Sequence, residues 1–251
     1  MYNGKKVVVI MPAFNAEQTL LQTYEEVMAE KIVDLVIVGD DCSSDETAKI
    51  ASSLKNVELV RHKINLGYGA NQKSCYRLAL QRRAEIVIMV HPDYQYTPKL
   101  IPVMAAMVDS GLYPCVLASR ILGGQALAGG MPIWKYLANR VLTMVENWLL
   151  GTKLSEFHSG YRAFSADLLA RLPLHRNSDD FIFDNQILAQ IHNLGFVIGE
   201  VTCPTKYFPE ASSINFIRSS VYGVGCLWVG LGYRLHRWRL IKAWLFDENK
   251  A

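Results

Sequence analysis

The first half of the chain alternates short apolar runs with longer amphipathic stretches. The run KVVVIM (6–11) is continuous and β-branched, the pattern of a strand covered on both faces. VDLVIVGD (33–40), VELVRH (57–62), EIVIMV (85–90) and PCVLASR (114–120) repeat that pattern. Between them the periodicity predicts a helix up to about residue 30, one opened by DCSSDET and running to about 54, one inside 65–83 after a glycine-hinged loop, and one from Thr97 to Asp109. Ser44 or Asp45 stands where the second of these would be capped. Strand, helix, strand in regular succession predicts βαβ units and a parallel sheet.

The second half changes style. ILGGQALAGGMP (121–132) carries four glycines and reads as a mobile loop, placed where a lid over a bound ligand would sit. IWKYLANRVLTMVENWLLG (133–151) predicts an amphipathic helix, and SEFHSGYRAFS (155–165) a loop entering a short strand. DDFIFDNQILAQIHNLG (179–195) predicts a helix ended by Gly195, followed by a strand in FVIGEVTCP. His158 and His175 read as surface or packing residues.

Ligands of parallel sheets bind beyond the carboxyl ends of the strands. Here those ends carry PAFN, GDD, HPD and SR after the first, second, fourth and fifth strands, which are expected to converge on one crevice. The crevice gathers the carboxylates Asp40, Asp41 and Asp93. Carboxylates at such a place either accept hydrogen bonds from a base or ribose, or hold a hard divalent ion that neutralises a diphosphate. The plainer reading is that Asp40, Asp41 and Asp93 cap the helices that follow them.

Composition narrows the choice. The 251 residues are 51% hydrophobic, enough for one large domain or a domain with a small appendage. Lys and Arg outnumber Asp and Glu by 26 to 23, a balance that gives no call for nucleic acid. The five cysteines (42, 75, 115, 203, 226) have no metal-ligand spacing and read as reduced, buried thiols of a cytoplasmic protein. No signal peptide is read at the N-terminus. The longest low-charge run, 219–233, is fifteen residues, short of the ~20 needed to span a bilayer. G-x-G-x-x-G, a Walker loop and G-x-S-x-G are absent, which argues against dinucleotide enzymes, P-loop NTPases and serine hydrolases. PAFNAEQT is not the glycine-rich, lysine-bearing loop of a nucleotidyltransferase.

Six motifs in order then resemble family 2 glycosyltransferases of the GT-A fold: VVVIMPAFNAEQTL (P-x-Y-N-E), VIVGDDCSSDET (V-V-D-D-G-S-x-D-x-T), NLGYGANQ (N-x-G-x-G-x-A), VHPDYQYTP (D-x-D), LASRILGG (G-S-R) and HSGYRAF (S-G-x-R-A). Within that family the chain looks most like the polyprenyl-phosphate sugar transferases of the dolichol-phosphate mannose synthase type. The resemblance implies an α/β, mostly parallel sheet flanked by helices over 1–213, with a C-terminal amphipathic helical extension over 214–251. It implies transfer, with inversion, from a UDP- or GDP-linked sugar, assisted by Mn²⁺ or Mg²⁺. Pro12, Phe14, Glu17, Asp40, Asp41, Gly69, His91, Asp93 and Arg120 would line the nucleotide-sugar site, and Asp93 would hold the metal. Arg120 would approach the phosphates or the sugar. Arg162 and Lys206, with Arg140, would meet an anionic acceptor, and Asp184 stands where many members carry a general base. The chain departs from the pattern at Phe14, where the family has tyrosine, at Ala16, which delays the acid to Glu17, and at His91, which replaces the first acid of D-x-D. The late R-x-x-G-x-S segment is replaced by KYFPEASSINF.

The acceptor stays open between a polyprenyl phosphate and a hydroxyl of a glycan or glycolipid, as does a non-catalytic role in binding nucleotide sugars. From 206 to 242, six basic residues face the single acid Glu210 and interleave with Phe216, Tyr222, Trp228, Tyr233, Trp238 and Trp244 beyond them. Such a stretch suits a peripheral contact with the cytoplasmic face of a membrane, or a homo-oligomer interface.

Overall fold

The computed structural model of the chain describes residues 1–205 and 216–247. Its frame is a seven-stranded sheet of β1 (Val7–Ala13), β2 (Leu35–Asp40), β3 (Val57–Arg61), β4 (Ile86–Met89), β5 (Cys115–Ser119), β6 (Arg162–Ser165) and β7 (Ile198–Thr202), in the order β3-β2-β1-β4-β6-β5-β7. β1 to β4 are parallel, β7 is parallel to β5, and β6 runs antiparallel to both β4 and β5. β6 is the departure from a simple βαβ succession. It slots between β4 and β5, so the two strands expected to be successive neighbours never touch.

Eight helices accompany these strands among the described residues: α1 (Leu20–Ala29), α2 (Thr47–Ser53), α3 (Tyr68–Gln81), α4 (Ile101–Asp109), α5 (Ile133–Leu150), α6 (Ala166–Arg171), α7 (Phe183–Asn193) and α8 (Phe216–Arg237). The short α6, capped by the Ser165 hydroxyl accepting from Leu168 N, had no periodic signal long enough to announce it. All seven residues of β1 are buried. Side chains alternate across a strand. Val8 and Ile10 accordingly pack with Tyr76 of α3 and with Phe183 and Ile187 of α7, while Val7, Val9 and Met11 pack with Leu20 of α1 and Met104 of α4. The sheet is the middle of three layers.

The glycine-rich segment 121–132 is anchored at two points, Ala126 and Met131, both buried. Gly129 lies so close to the Thr205 carbonyl that a Cβ would stand 2.2 Å from it.

α5 is amphipathic in the inverse sense. Its buried side carries Asn139, Thr143 and Glu146, with Leu149 and Leu150 buried only at its last turn, and its exposed side carries Leu137, Val141, Met144 and Trp148, the last 74% exposed. α8 packs alongside, with Arg234 donating to the Trp148 carbonyl, and exposes Val221, Val224 and Trp228 at helical spacing. Neither helix carries an exposed acid. No helix among the described residues is long and apolar enough to cross a membrane.

Because that apolar face contributes no packing to the core, Met144→Gln and Trp148→Gln are each expected to change the unfolding free energy by no more than about 0.5 kcal/mol. Ile10→Ala, in the sheet centre, is expected to cost about 2–5 kcal/mol. Urea denaturation of the three variants measures this. A core-sized loss at Trp148 would mean that the face is packed.

Candidate active site

The strand directions decide what meets at one edge. The carboxyl ends of β1 to β5 and the amino end of β6 all lie there, because β6 alone is reversed. That edge therefore receives Phe14 after β1, Asp40 and Asp41 at β2, His91 and Asp93 after β4, Arg120 after β5, and Arg162 at the start of β6. The amino ends of α3 and α7 add Tyr68 and Asp184. Lys206 lies outside the described residues.

At the first corner, Pro12 is buried in β1 and Phe14 projects, 55% exposed. The loops after β1 and β2 clasp each other. Asn15 N donates to the Ser43 hydroxyl and Ala16 N to that of Thr47; Glu17 N donates to Asp45, while the Glu17 carboxylate accepts from Glu46 N. Asp45 Oδ1 accepts from Thr47 N, so a carboxylate does hold the start of α2. Its carboxyl lies below the ordinary value: burial pushes it up, and hydrogen bonds from Thr47 and Glu17 outweigh that.

Asp40 and Asp41 are both buried but differ in their partners. Asp41 accepts from Leu66 N and Gly67 N at 2.9 and 2.8 Å and from His62 Nδ1 at 2.8 Å. It thereby ties down the loop that leads into α3. Asp40 Oδ1 accepts from Ser43 N. Its Oδ2 lies 3.2 Å from Arg61 Nε but makes no hydrogen bond. Cys42, Arg61, His62 and Lys63 line an open depression of about 360 Å³ beside this pair. Gly69 sets α3 against the chain before α7: its N–H donates to the Asp179 carbonyl at 2.7 Å, and a Cβ there would stand 2.5 Å from the Ser178 carbonyl.

After β4 the chain turns sharply. Asp93 Oδ1 accepts from Gln95 N, and Tyr94 sits in the left-handed region at φ +59°. Asp93 is half-buried at the mouth. The His91 ring stacks on Tyr68, and its Nε2 lies 2.9 Å from the Tyr68 hydroxyl. Tyr68 donates its one hydroxyl proton to Asp184 Oδ2 at 2.9 Å, so it accepts from His91 Nε2–H. That fixes the tautomer of His91 from the network. Burial and the Asp184 charge raise the Tyr68 hydroxyl well above its ordinary value, keeping it a donor. Gly160 is required here, since a Cβ would stand 2.1 Å from His91 Nε2.

Asp184 is the hub of this side. Besides Tyr68, Gln72 Nε2 donates to its Oδ1 at 3.0 Å, and Arg162 Nη1 lies 3.6 Å from the same oxygen. Arg162 is wholly buried and donates to the carbonyls of Phe157, Ser159 and Asp184. Burial opposes its charge most strongly of any single influence, but Asp184 together with Tyr68, Tyr76 and Tyr222 outweighs it and holds the guanidinium above its ordinary value. Arg120 is paired with the buried Glu156 through its backbone and side-chain N–H groups, and Glu156 also accepts from Asn139 of α5. Burial pushes the Glu156 carboxyl up; Arg120 outweighs it, and the net shift is downward. Arg140 is exposed and donates to the Ser155 carbonyl. Tyr68, Gln72 and Glu156 were not singled out in the sequence. Tyr68 sits between the two glycines of GYG, and the glycines drew the attention.

The arrangement is an edge with one half-buried carboxylate at the mouth, a clasped loop pair presenting an aromatic ring, and two carboxylate-held guanidiniums deeper in. It is suited to a phosphorylated, ring-bearing ligand. The profile of glycosyl transferase family 2 matches residues 8–172. An uncharacterized protein of Methanocaldococcus jannaschii is 27% identical over 205 residues, covering 82% of this chain and 83% of that protein. The UDP-N-acetylglucosamine–dolichyl-phosphate N-acetylglucosaminyltransferase of Methanococcus voltae is 26% identical over 221 residues, covering 81% and 86%. Among solved structures, glucosyl-3-phosphoglycerate synthase of Mycobacterium tuberculosis in complex with UDP is similar with a TM-score of 0.68 at 18% identity, over 96% of this chain and 82% of that one. The same enzyme in complex with Mn²⁺, UDP and glucosyl-3-phosphoglycerate gives 0.64 at 17% identity, with the same coverage of both chains. At that identity the likeness is one of fold, and the fold is GT-A. The chain is a glycosyltransferase and belongs to glycosyl transferase family 2.

Proposed function

We propose that the protein transfers a sugar from a nucleoside-diphosphate sugar to a polyprenyl phosphate while resting peripherally on the cytoplasmic face of a membrane. The observation that carries this reading is the face of α5 and α8. Two adjacent helices turn apolar stripes outward, with Trp148 and Trp228 exposed and no exposed acid on either helix. At and beyond the end of α8, the exposed Arg237, Arg239 and Lys242 stand among Trp238, Leu240, Ile241 and Trp244. Interfacial tryptophans with cationic flanks match the boundary layer of an anionic bilayer. The acceptor of such an enzyme is delivered at that layer. Relatives named for dolichyl, polyprenol and undecaprenyl phosphate transfer support the same acceptor class.

On the donor side, Phe14 offers a ring to a base. Of the two β2 acids, Asp40 is the one with an oxygen lacking a hydrogen-bond donor, so it is assigned to the base or ribose, with Asp41 shaping the loop. UDP is the first donor to test and GDP the second. The donor set at the mouth fits a hard ion: a half-buried carboxylate, Asp93, is what Mg²⁺ or Mn²⁺ takes when phosphate oxygens and waters complete its shell. His91 Nε2 is committed to Tyr68, so His91 serves by position rather than through that nitrogen. When bound, the ion stabilises charge on the leaving diphosphate.

In the transfer, an acceptor phosphate oxygen attacks the anomeric carbon as the bond to the diphosphate breaks, with inversion. The acceptor is already an anion and needs no strong base. Arg162 and Arg120, each held by a carboxylate, orient the edge and oppose the negative charge gathered there. A second reading, transfer to a glycan hydroxyl with Asp184 as base, is favoured by the Asp184–Tyr68–His91 chain, which reaches from α7 to the strand edge.

Purified protein given Mn²⁺ and a panel of UDP- and GDP-sugars is expected to release nucleoside diphosphate when a short polyprenyl phosphate is present. Asp93→Asn is expected to lose about 10²–10³-fold in rate. Donor binding without release would move the reading to a hydroxyl acceptor or a sensor. Asp184→Asn also strands Arg162, so its pH profile is the readout: for a phosphate acceptor the folded variant is expected to keep the wild-type pH dependence of kcat/KM, whereas for a hydroxyl acceptor the limb that belongs to the base is expected to vanish with a loss of about 10²–10⁴-fold. In flotation assays with anionic vesicles, the double variant Trp148→Ser/Trp228→Ser is expected to bind about tenfold more weakly, or worse. If instead it converts a dimer to a monomer in gel filtration, the face joins two copies of the chain.

A further inference from the structure

Behind the α5–α8 face lies a group of side chains that the transfer reaction does not use. We propose that Glu146 of α5, His158 of the loop before β6 and Cys226 of α8 form a site for a zinc-class divalent cation, which pins α8 to the body of the enzyme. Their candidate ligand atoms all lie within 4.8 Å of one another. A tetrahedral ion bound by nitrogen, sulfur and carboxylate oxygen at about 2.0–2.3 Å sets its ligands roughly 3.3–3.8 Å apart, so at most a small side-chain adjustment closes the site.

Two further observations point into the same space. Glu146 is completely buried; its Oε2 makes no hydrogen bond, and the weak donor of the Cys226 thiol stands against the carboxylate, thin compensation for a buried charge. His158 Nε2 likewise makes no hydrogen bond, yet lies 3.2 Å from that oxygen. The other end of each ligand is already held. Asn185 of α7 donates to Glu146 Oε1, and His158 Nδ1 lies 3.0 Å from the Tyr222 hydroxyl. His158 Nε2 and Glu146 Oε2 thus face each other with no hydrogen bond between them, and a cation placed there would be ligated by both. Metal-binding histidines are commonly oriented by a hydrogen bond at their second nitrogen, here Nδ1.

Thiolate and imidazole select zinc-class ions over Mg²⁺ and Mn²⁺. Three protein ligands leave a fourth position for water, and binding releases the Cys226 proton. Its three ligands join an outer helix, its neighbour and the loop that carries Ser159 and Gly160 to Arg162 and His91.

The test uses the full chain, stripped with a chelator and titrated with Co²⁺ and Zn²⁺, and it reads metal binding rather than turnover. Wild-type protein is expected to bind about one Co²⁺ and to show visible tetrahedral bands with a near-ultraviolet thiolate charge-transfer band. Zn²⁺ is expected to displace the Co²⁺, and a large excess of Mg²⁺ is expected to leave it in place. Cys226→Ser is expected to lose the charge-transfer band, and His158→Gln to weaken binding at least about tenfold. Cys42→Ser, at a half-buried thiol elsewhere, is expected to keep both. Circular dichroism reports whether each variant folds. Wild-type protein that binds no Co²⁺, or binds it without a thiolate band, overturns the proposal whatever the variants do, and leaves a metal-free Glu146–His158 pair. A band that survives in folded Cys226→Ser overturns it equally.

Discussion

The geometry of the site hangs on one buried charge. Arg162 begins the reversed strand, is sealed from solvent, and spends its donors on three carbonyls and its charge on Asp184. A guanidinium in such a place is tolerable only if every donor is satisfied and a counter-charge faces it. Meeting that condition fixes the 157–159 loop, the start of β6 and the first turn of α7 relative to one another. Asp184, so held, takes the Tyr68 hydroxyl, and Tyr68 takes His91. The turn after β4 and the first turn of α7 are thus parts of one hydrogen-bonded unit. Removing either charge of the pair would strand the other.

Much of this frame was legible beforehand because the physics was local. The β-branched runs at 6–11, 33–40 and 85–90 have the pattern and length of covered strands, and the carboxyl-end rule puts Asp40, Asp41 and Asp93 at one edge. What stayed hidden was nonlocal. The insertion of β6 between β4 and β5 follows from pairing across some seventy residues, and RAFS alone carries no sign of direction. The division of labour between Asp40 and Asp41 depended on which carboxylate the 62–67 loop would fold onto. Arg162 and Asp184 were named separately as acceptor contact and base, but nothing in their spacing said that they face each other.

α5 was misleading in a more instructive way. Its pattern was amphipathic, and amphipathic helices ordinarily turn the apolar side inward. Here the inward positions are Asn139, Thr143 and Glu146, because the space they face is already polar: Glu156, which holds Arg120, and His158 need partners. The apolar side is therefore left outward by exclusion. Periodicity reports that a helix has two faces; the polarity of what it packs on decides which one is hidden.

The reversed strand also sets the order in which the enzyme can come into being. β1 to β4, with their helices, need only the first ninety residues and pair with near neighbours in the chain. The far half of the edge closes when β6 finds β4 and β5, long-range contacts whose chain-closure cost is met late. During synthesis, a nascent chain would thus own Phe14, Asp40 and Asp41 in place before it owned Arg162, Asp184 or the face of α5 and α8. An enzyme built in that sequence assembles one half of its strand edge by local pairing and gains the other half only when the reversed strand closes it.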